Sequence, residues 1–500
     1  SSLSLTSATQ SRCCWYCGHG EGTLPTKLQK CGRCGLAAYC NRECQRGDWK
    51  LHKVKCKRLT EIFVDTDVKN LLQSGALKSR LYTLSEGTVI LTIRDPDITT
   101  IGDMNLAVER AGEAPFVDCN FLLRVDLHGC TNLTSVGIAA FAVCSSLTSV
   151  VLPDSLTQIG KGAFQYCTSL RSVVLPDSLT QIGLSAFSDC SSLASVVLPD
   201  SLTQIGELAF GSCSSLMSVV FPDSLTQISR TVFRECSSLT SVVLPDSLTQ
   251  LGMGAFGGCT SLTSVVLPDS LTQICEAAFC DCTSLTSIVF PNSLAQVGDY
   301  AFQNCSSLTS VVLPDSLTQI GNSAFCECTS LTYMVLPDSL TQIGNSAFAR
   351  CSSLTSAVLP DSLTQLGEGA FGYCTSLTSL VLPDSLTQLG NGAFAKCTSL
   401  TSVVLPDSLM QLGKWAFAGC SSLMSVILPD SATLGDAVFY ECDALLQKTA
   451  LAGFDSVELY LRDRYKSITL RKLVLRLLRK YNKAVNNADG TEAEKHASAL

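Results

Sequence analysis

The chain has 500 residues, a formal net charge of −8 and 16% charged residues. That acidic balance excludes a general nucleic-acid-binding surface, which is basic. Its hydrophobic residues, 46% of the total, come in runs of three to five broken by Pro, Asp, Ser and Gln, far short of the roughly 20 that a membrane helix needs.

Residues 1–12 are polar, lack the apolar stretch of a signal peptide and are expected to be disordered. Residues 13–57 hold eight of the 27 cysteines. The candidate ligands form four pairs: Cys14-x-x-Cys17, Cys31-x-x-Cys34, Cys40-x-x-x-Cys44 and His52-x-x-x-Cys56. Two thiolates from one tight turn reach a single ion at about 2.3 Å, so these eight donors suffice for two tetrahedral Zn2+ ions. A disulfide cluster would leave His52 without a role. Cys13 adjoins the first pair, but only Cys14 gives the two-residue spacer with Cys17. A segment this small has little core, so metal binding supplies much of its folding free energy. Spacing alone does not say which pairs share an ion.

The run Tyr39-Cys40-Asn41-Arg42-Glu43-Cys44-Gln45-x-x-x-Trp49-x-x-His52-Lys53-x-x-Cys56 resembles the C-terminal half of a MYND zinc finger, and the first two pairs complete the pattern. The resemblance implies interleaved sites: Cys14, Cys17, Cys40 and Cys44 on one zinc, Cys31, Cys34, His52 and Cys56 on the other. It also implies a site for short proline-containing peptides using Gln45 and Trp49. A proline motif is pre-ordered, and an indole offers it a flat apolar contact. The neighbouring Arg42, Arg46, Lys50, Lys53 and Lys55 make the finger locally basic. Its spacing is not that of a finger that lays a helix in the major groove.

Residues 58–88 are read as a connector with a helix over 68–82. Residues 89–146 carry two degenerate repeats, expected as an N-terminal cap because terminal repeats of a solenoid are atypical. Regular repeats fill 147–445. The first leucine, Leu147, returns every 23 residues through Leu423 without an insertion. In each unit Leu147, Val150 and Leu152 mark a strand, and Pro153-Asp154 ends it, because proline has no amide to give a ladder. Leu156 and Ile159 form a second inward edge, Gly160 allows a bend, and Ala163-Phe164-x-x-Cys167 is read as a short helical turn whose Phe fills the interior. One unit cannot bury this face alone, whereas stacked units share a core. The recurrent cysteines (Cys144, Cys167 and their equivalents) are expected as a buried ladder, since a free thiol packs as a small apolar group. The aspartates after each proline are expected in turns. They offer one carboxylate per rung, too few for calcium. The outward Ser149 and Val151 positions form a uniform face, interrupted by Tyr333.

The segments LPDSLTQIG and AFxxC resemble BspA-like leucine-rich repeats, which implies a protein- or glycan-contacting surface without inherent chemistry. Past the array, residues 446–486 read as a basic amphipathic helical cap, with Leu470, Leu473, Val474, Leu477, Leu478 and Tyr481 at helical spacing, and 487–500 as a tail. The expected fold is a small zinc-stabilised finger plus an α/β leucine-rich-repeat solenoid with a C-terminal helical cap.

The expected function is that of an interaction adaptor: a proline-containing peptide on the finger, and an unknown protein or glycan on the solenoid. An adhesive solenoid with an auxiliary finger is the alternative. Many SET-type methyltransferases contain a MYND finger, but here the repeats leave no room for a catalytic fold, and no phosphate loop or nucleophile elbow is present. No enzyme activity, nucleic-acid binding or membrane span is expected. Cysteines placed as metal ligands and as a repeat row imply a reducing compartment, cytoplasmic or nuclear.

Overall fold

The computed structural model describes residues 29–30, 38–39, 60–64, 89–102 and 114–464. The predicted connector helix over 68–82 lies outside them.

Each repeat is one rung of a three-sided solenoid. In the first regular rung the strand Ser149–Val151 points Val150 inward, Pro153 ends it, and the two-residue strand Gln158–Ile159 follows. Successive rungs pair in parallel with a 23-residue step, Ser172 beside Ser149 and Gln181 beside Gln158. That constant step is the sequence period expressed as register.

Leu147, Val150, Leu152, Leu156, Ile159, Ala163, Phe164 and Cys167 are all at most 7% exposed, and their equivalents continue one core along the whole array. The phenylalanines form a column from Phe116 to Phe439. Consecutive rings stack nearly parallel, with centroids 5.4 Å apart at Phe141–Phe164 and 6.0 Å at Phe417–Phe439. Offset stacking of this kind adds to the area each ring buries.

The third side is not helical. Tyr166, Asp189, Ser212 and Glu235 have φ between 56° and 62°, their equivalents are left-handed too, and so is the residue before each Ala-Phe, as at Gly162 and Ser185. Two left-handed residues four apart forbid a helical turn. The amides reach across to the next rung instead, Phe164 N–H donating to Ala186 O at 2.8 Å and Tyr166 N–H to Ser188 O at 2.9 Å. The expected helical turn is therefore a run of β-turns tied between rungs.

Glycine at Gly160 serves close approach rather than an unusual torsion. A Cβ there would lie 2.8 Å from the carbonyl carbon of Gly137, and one at Gly206 would lie 2.4 Å from Leu184 N. Rungs close up along this side, whose strands form ladders of five and then ten. On the Ser-Val side a seven-stranded sheet runs from Thr60–Val64 to Ser218–Val220, after which pairing continues only two strands at a time.

That sheet starts earlier than expected. Strand β3 (Thr60–Val64; β1 is Gln29–Lys30 and β2 Ala38–Tyr39) lies inside the segment read as connector and pairs in parallel with β4 (Val89–Ile93). At the other end, helices α1 (Asp443–Leu451) and α2 (Val457–Arg464) close the array. Leu445, Tyr460 and Leu461 join the core, and Arg462 donates to the carbonyls of Asp430 at 3.1 Å and Ala432 at 3.0 Å. The solenoid's last open edge is thus met by a guanidinium and two short helices.

Candidate zinc centre and interaction faces

The candidate ligands Cys14, Cys17, Cys31, Cys34, Cys40, Cys44, His52 and Cys56, with the peptide residues Gln45 and Trp49, lie outside the described residues. What is described between them is the antiparallel pair β1–β2, Gln29 opposite Tyr39 and Lys30 opposite Ala38. In sequence this pair brackets Cys31 and Cys34 and directly precedes Cys40. A donor set of thiols and one imidazole suits zinc, which prefers sulfur and nitrogen in tetrahedral sites. Among the described residues no group of three or more His, Cys, Asp or Glu could hold a metal.

The cysteine ladder is inert. Cys167 Sγ donates to Phe141 O at 3.1 Å and Cys259 Sγ to Phe233 O at 3.3 Å, and the row repeats this bond rung by rung. Burial pushes the thiols of Cys167, Cys213 and Cys259 from 9.0 up to about 12, against a smaller lowering by the backbone hydrogen bond. Thiolate chemistry is suppressed, because the thiolate and not the thiol reacts or binds metal. The nineteen described cysteines are all free.

Hydroxyl rows do unpredicted structural work. Ser178 Oγ donates to Leu156 O at 2.7 Å and Ser201 Oγ to Leu179 O at 2.7 Å, while Thr180 Oγ1 donates to Thr157 O at 3.1 Å. Nothing local in the sequence signals that their partner lies one rung away. The neighbouring Asp154, Asp177 and Asp200 are exposed, one carboxylate per rung.

Two faces remain for ligands. Along the closed-up side, the glutamines from Gln158 to Gln411 line up one per rung. They border a groove of about 680 Å³ at Gln296, Gln319, Gln342 and Gln365, whose floor is Gly298, Gly321, Gly344 and Gly367. Beside it runs an amide ladder. Asp299 Oδ1 accepts from Asn322 N–H at 2.7 Å, Asn322 Oδ1 from Asn345 N–H at 2.8 Å, and Asn391 Oδ1 from Lys414 N–H at 2.9 Å. Its signal in the sequence was the Asp or Asn that follows Gly298, Gly321, Gly344 and Gly390. The Ser-Val side is the other face: Val174, Val197, Val220, Val243, Val266, Val289 and Val312 are exposed, with Tyr333 following at the Ser position.

The BspA type leucine-rich repeat region model, in six copies, matches residues 134–263, 226–355 and 341–460, together more than half the chain. The chain belongs to the BspA-type leucine-rich repeat family. Its N-terminus carries a MYND finger, matched over residues 14–56. A leucine-rich repeat protein from Bacteroides ovatus superposes on this BspA-type array with a TM-score of 0.56 and 31% identity, over 72% of this chain and 86% of that one. Relatives of the finger include SET domain-containing protein 14 of Caenorhabditis elegans, 57% identical over 37 residues, 7% of this chain and 9% of that protein. N-lysine methyltransferase SMYD2-A of Danio rerio is 59% identical over 72 residues, 14% of this chain and 17% of that protein. The chain thus spans less than a fifth of these relatives' length, and the likeness is confined to the finger region. Among the described residues no helix is long and apolar enough to cross a membrane.

Proposed function

We propose that this zinc-finger repeat protein is an interaction adaptor, its MYND finger holding a proline-containing peptide motif while the solenoid holds a second partner. The observation that carries this reading is the pairing of a complete MYND pattern over residues 14–56 with an array whose buried chemistry is inert. In it Cys14, Cys17, Cys40 and Cys44 bind one zinc, and Cys31, Cys34, His52 and Cys56 the second. Gln45 and Trp49 face the peptide. A reducing location, cytoplasmic or nuclear, belongs to this reading, because a thiolate zinc site and a row of free thiols persist where disulfides do not form.

The test is selection of displayed peptides on the full chain, in zinc-containing reducing buffer, with elemental analysis of the same sample. Two zinc ions per chain and proline-containing peptides that Trp49→Ala no longer retains are expected. Peptides without proline, or equal retention by Trp49→Ala, would overturn the recognition role, and one zinc or none would overturn the ligand assignment.

A further inference from the structure

The Ser-Val side carries a continuous row of exposed valines. Val174 is 79% exposed, Val197 64%, Val220 57% and Val243 65%, and the row continues through Val312. Met217, 54% exposed, adds apolar surface next to Ser218. This continuous stripe presents about 600 Å², at the upper end of what monomers expose and within the range that marks binding sites. The same row is covered further along the chain, at Val404 and Ile427.

The shape of the stripe restricts its occupant. Every rung offers a ridge, the valine, beside a furrow, the serine two residues earlier at Ser172, Ser195, Ser218 and Ser241. A matching partner needs the same rung spacing and the complementary furrow, and a second copy of this face has both. We propose that the stripe is the interface of a homodimer, the Ser-Val faces of two copies packing sheet on sheet. With its polar margins the stripe approaches the roughly 800 Å² per partner of a standard stable interface.

Charge selects the two-fold axis. The aspartates after each proline (Asp177, Asp200, Asp223, Asp246) form an exposed row along one margin. A two-fold lying along the strands would set valine on valine and aspartate on aspartate. A two-fold along the solenoid axis sets each valine over a serine and sends the two acidic rows to opposite edges. Like charges facing each other disfavour association, so the axis runs along the solenoid and Val220 faces Ser218 of the second copy.

Sedimentation of the full chain in reducing, zinc-containing buffer tests this. A mass near twice 53.2 kDa is expected. Val220→Lys with Val243→Lys should raise the dissociation constant roughly hundredfold or more, while Gln319→Lys in the groove leaves the dimer intact. Val220 and Val243 are exposed and Gln319 is half-buried, and unchanged circular dichroism identifies folded variants. A Val220→Lys chain and a Ser218→Asp chain, each monomeric alone, should pair when mixed. A monomeric wild-type chain, or a dimer broken by Gln319→Lys but not by the valine changes, overturns the proposal, as does a mixture that stays monomeric.

Discussion

Thr231 holds a left-handed backbone, φ 56°, where the equivalent residues Gly162, Gly254, Gly369 and Gly392 have φ 59°. A β-branched residue is disfavoured there by about 1–2 kcal/mol, of which glycine's freedom in the unfolded chain takes back part. Thr231→Gly should therefore stabilise the central rungs by about 0.5–1 kcal/mol, seen as a higher urea midpoint; a lower midpoint would mean the side chain's contacts outweigh the strain. The cysteines act in the opposite direction, through protonation. Each thiol whose value burial raises from 9.0 to about 12 binds its proton more tightly folded than unfolded. Its stabilisation is complete below pH 9 and is lost as pH rises towards 12, at about 1.4 kcal/mol per unit for each group. Because five residues of the row, Cys167, Cys213, Cys259, Cys374 and Cys442, share this shift, the array should unfold steeply in that window, as circular dichroism against pH would show. A transition no steeper than that of a single group would contradict the ladder. The burial of this row was legible in the sequence from its phase beside the phenylalanine. Its bond to the preceding rung was not, because hydrogen-bond partners 26 residues apart leave no local mark.

Rungs stack only where their backbones can meet, and the glycine that follows most of the Gln-Ile or Gln-Leu pairs, with Ser229 and Cys275 in its place at two rungs, marks that meeting. At Gly321 a Cβ would fall 2.5 Å from Asp299 N and from the carbonyl carbon of Gly298, both backbone atoms that cannot swing aside. Gly321→Ala should destabilise its neighbourhood by about 3 kcal/mol and raise amide exchange in the two adjoining rungs. Gly453→Ala meets nothing within 4 Å and should cost only its left-handed torsion, about 1–2 kcal/mol. Equal effects at the two sites would remove close approach as the cause. The strand rows respond to side-chain volume as well. Phe221 and Phe290 replace the usual leucine and meet Phe233 and Phe302 edge-on at 5.5 and 5.7 Å. The continuous Ser-Val sheet ends at the first of these rungs, and the second keeps only the bridge Val266–Val289. Repeat period, strand positions and the buried edge at Leu156 and Ile159 were all readable from apolar spacing. The β-turns of the third side were misread because Ala-Phe-x-x-Cys fits a helical period, whereas the left-handed residues that flank Ala-Phe are chemically mixed: Gly, Ser, Leu, Thr, Tyr and Trp.

An open solenoid must close both ends, because an uncovered rung offers unpaired carbonyls and apolar surface to the next molecule. A helical cap past residue 445 was legible where the repeat stops, the amphipathic stretch from Leu470 to Tyr481 lying outside the described residues, yet the residue that meets the edge could not be picked from the nine Lys and Arg of residues 456–485. It is Arg462, which bonds two carbonyls of the final rung and pairs with Glu458 at 2.9 Å, one turn earlier on α2. The glutamate fixes the guanidinium, and the guanidinium fixes α2 against the edge. Stability in such arrays is a sum of local and nearest-neighbour terms, so loss of this contact should not spread far inward. Arg462→Ala should leave the stacked core from Ser149 to Val404 protected from amide exchange, while exchange rises through α2 and Thr433–Leu434. Charged hydrogen bonds contribute about 1.5–3 kcal/mol each when partly buried, enough to free the helix. The uncovered edge should then promote end-to-end association that grows with concentration, read by light scattering. Arg462→Lys, with one compact charge for two diverging carbonyls, should restore only part of the protection. An Arg462→Ala chain with wild-type exchange at Thr433–Leu434 and no added scattering would show that burial of Leu445, Tyr460 and Leu461 closes the end without the arginine.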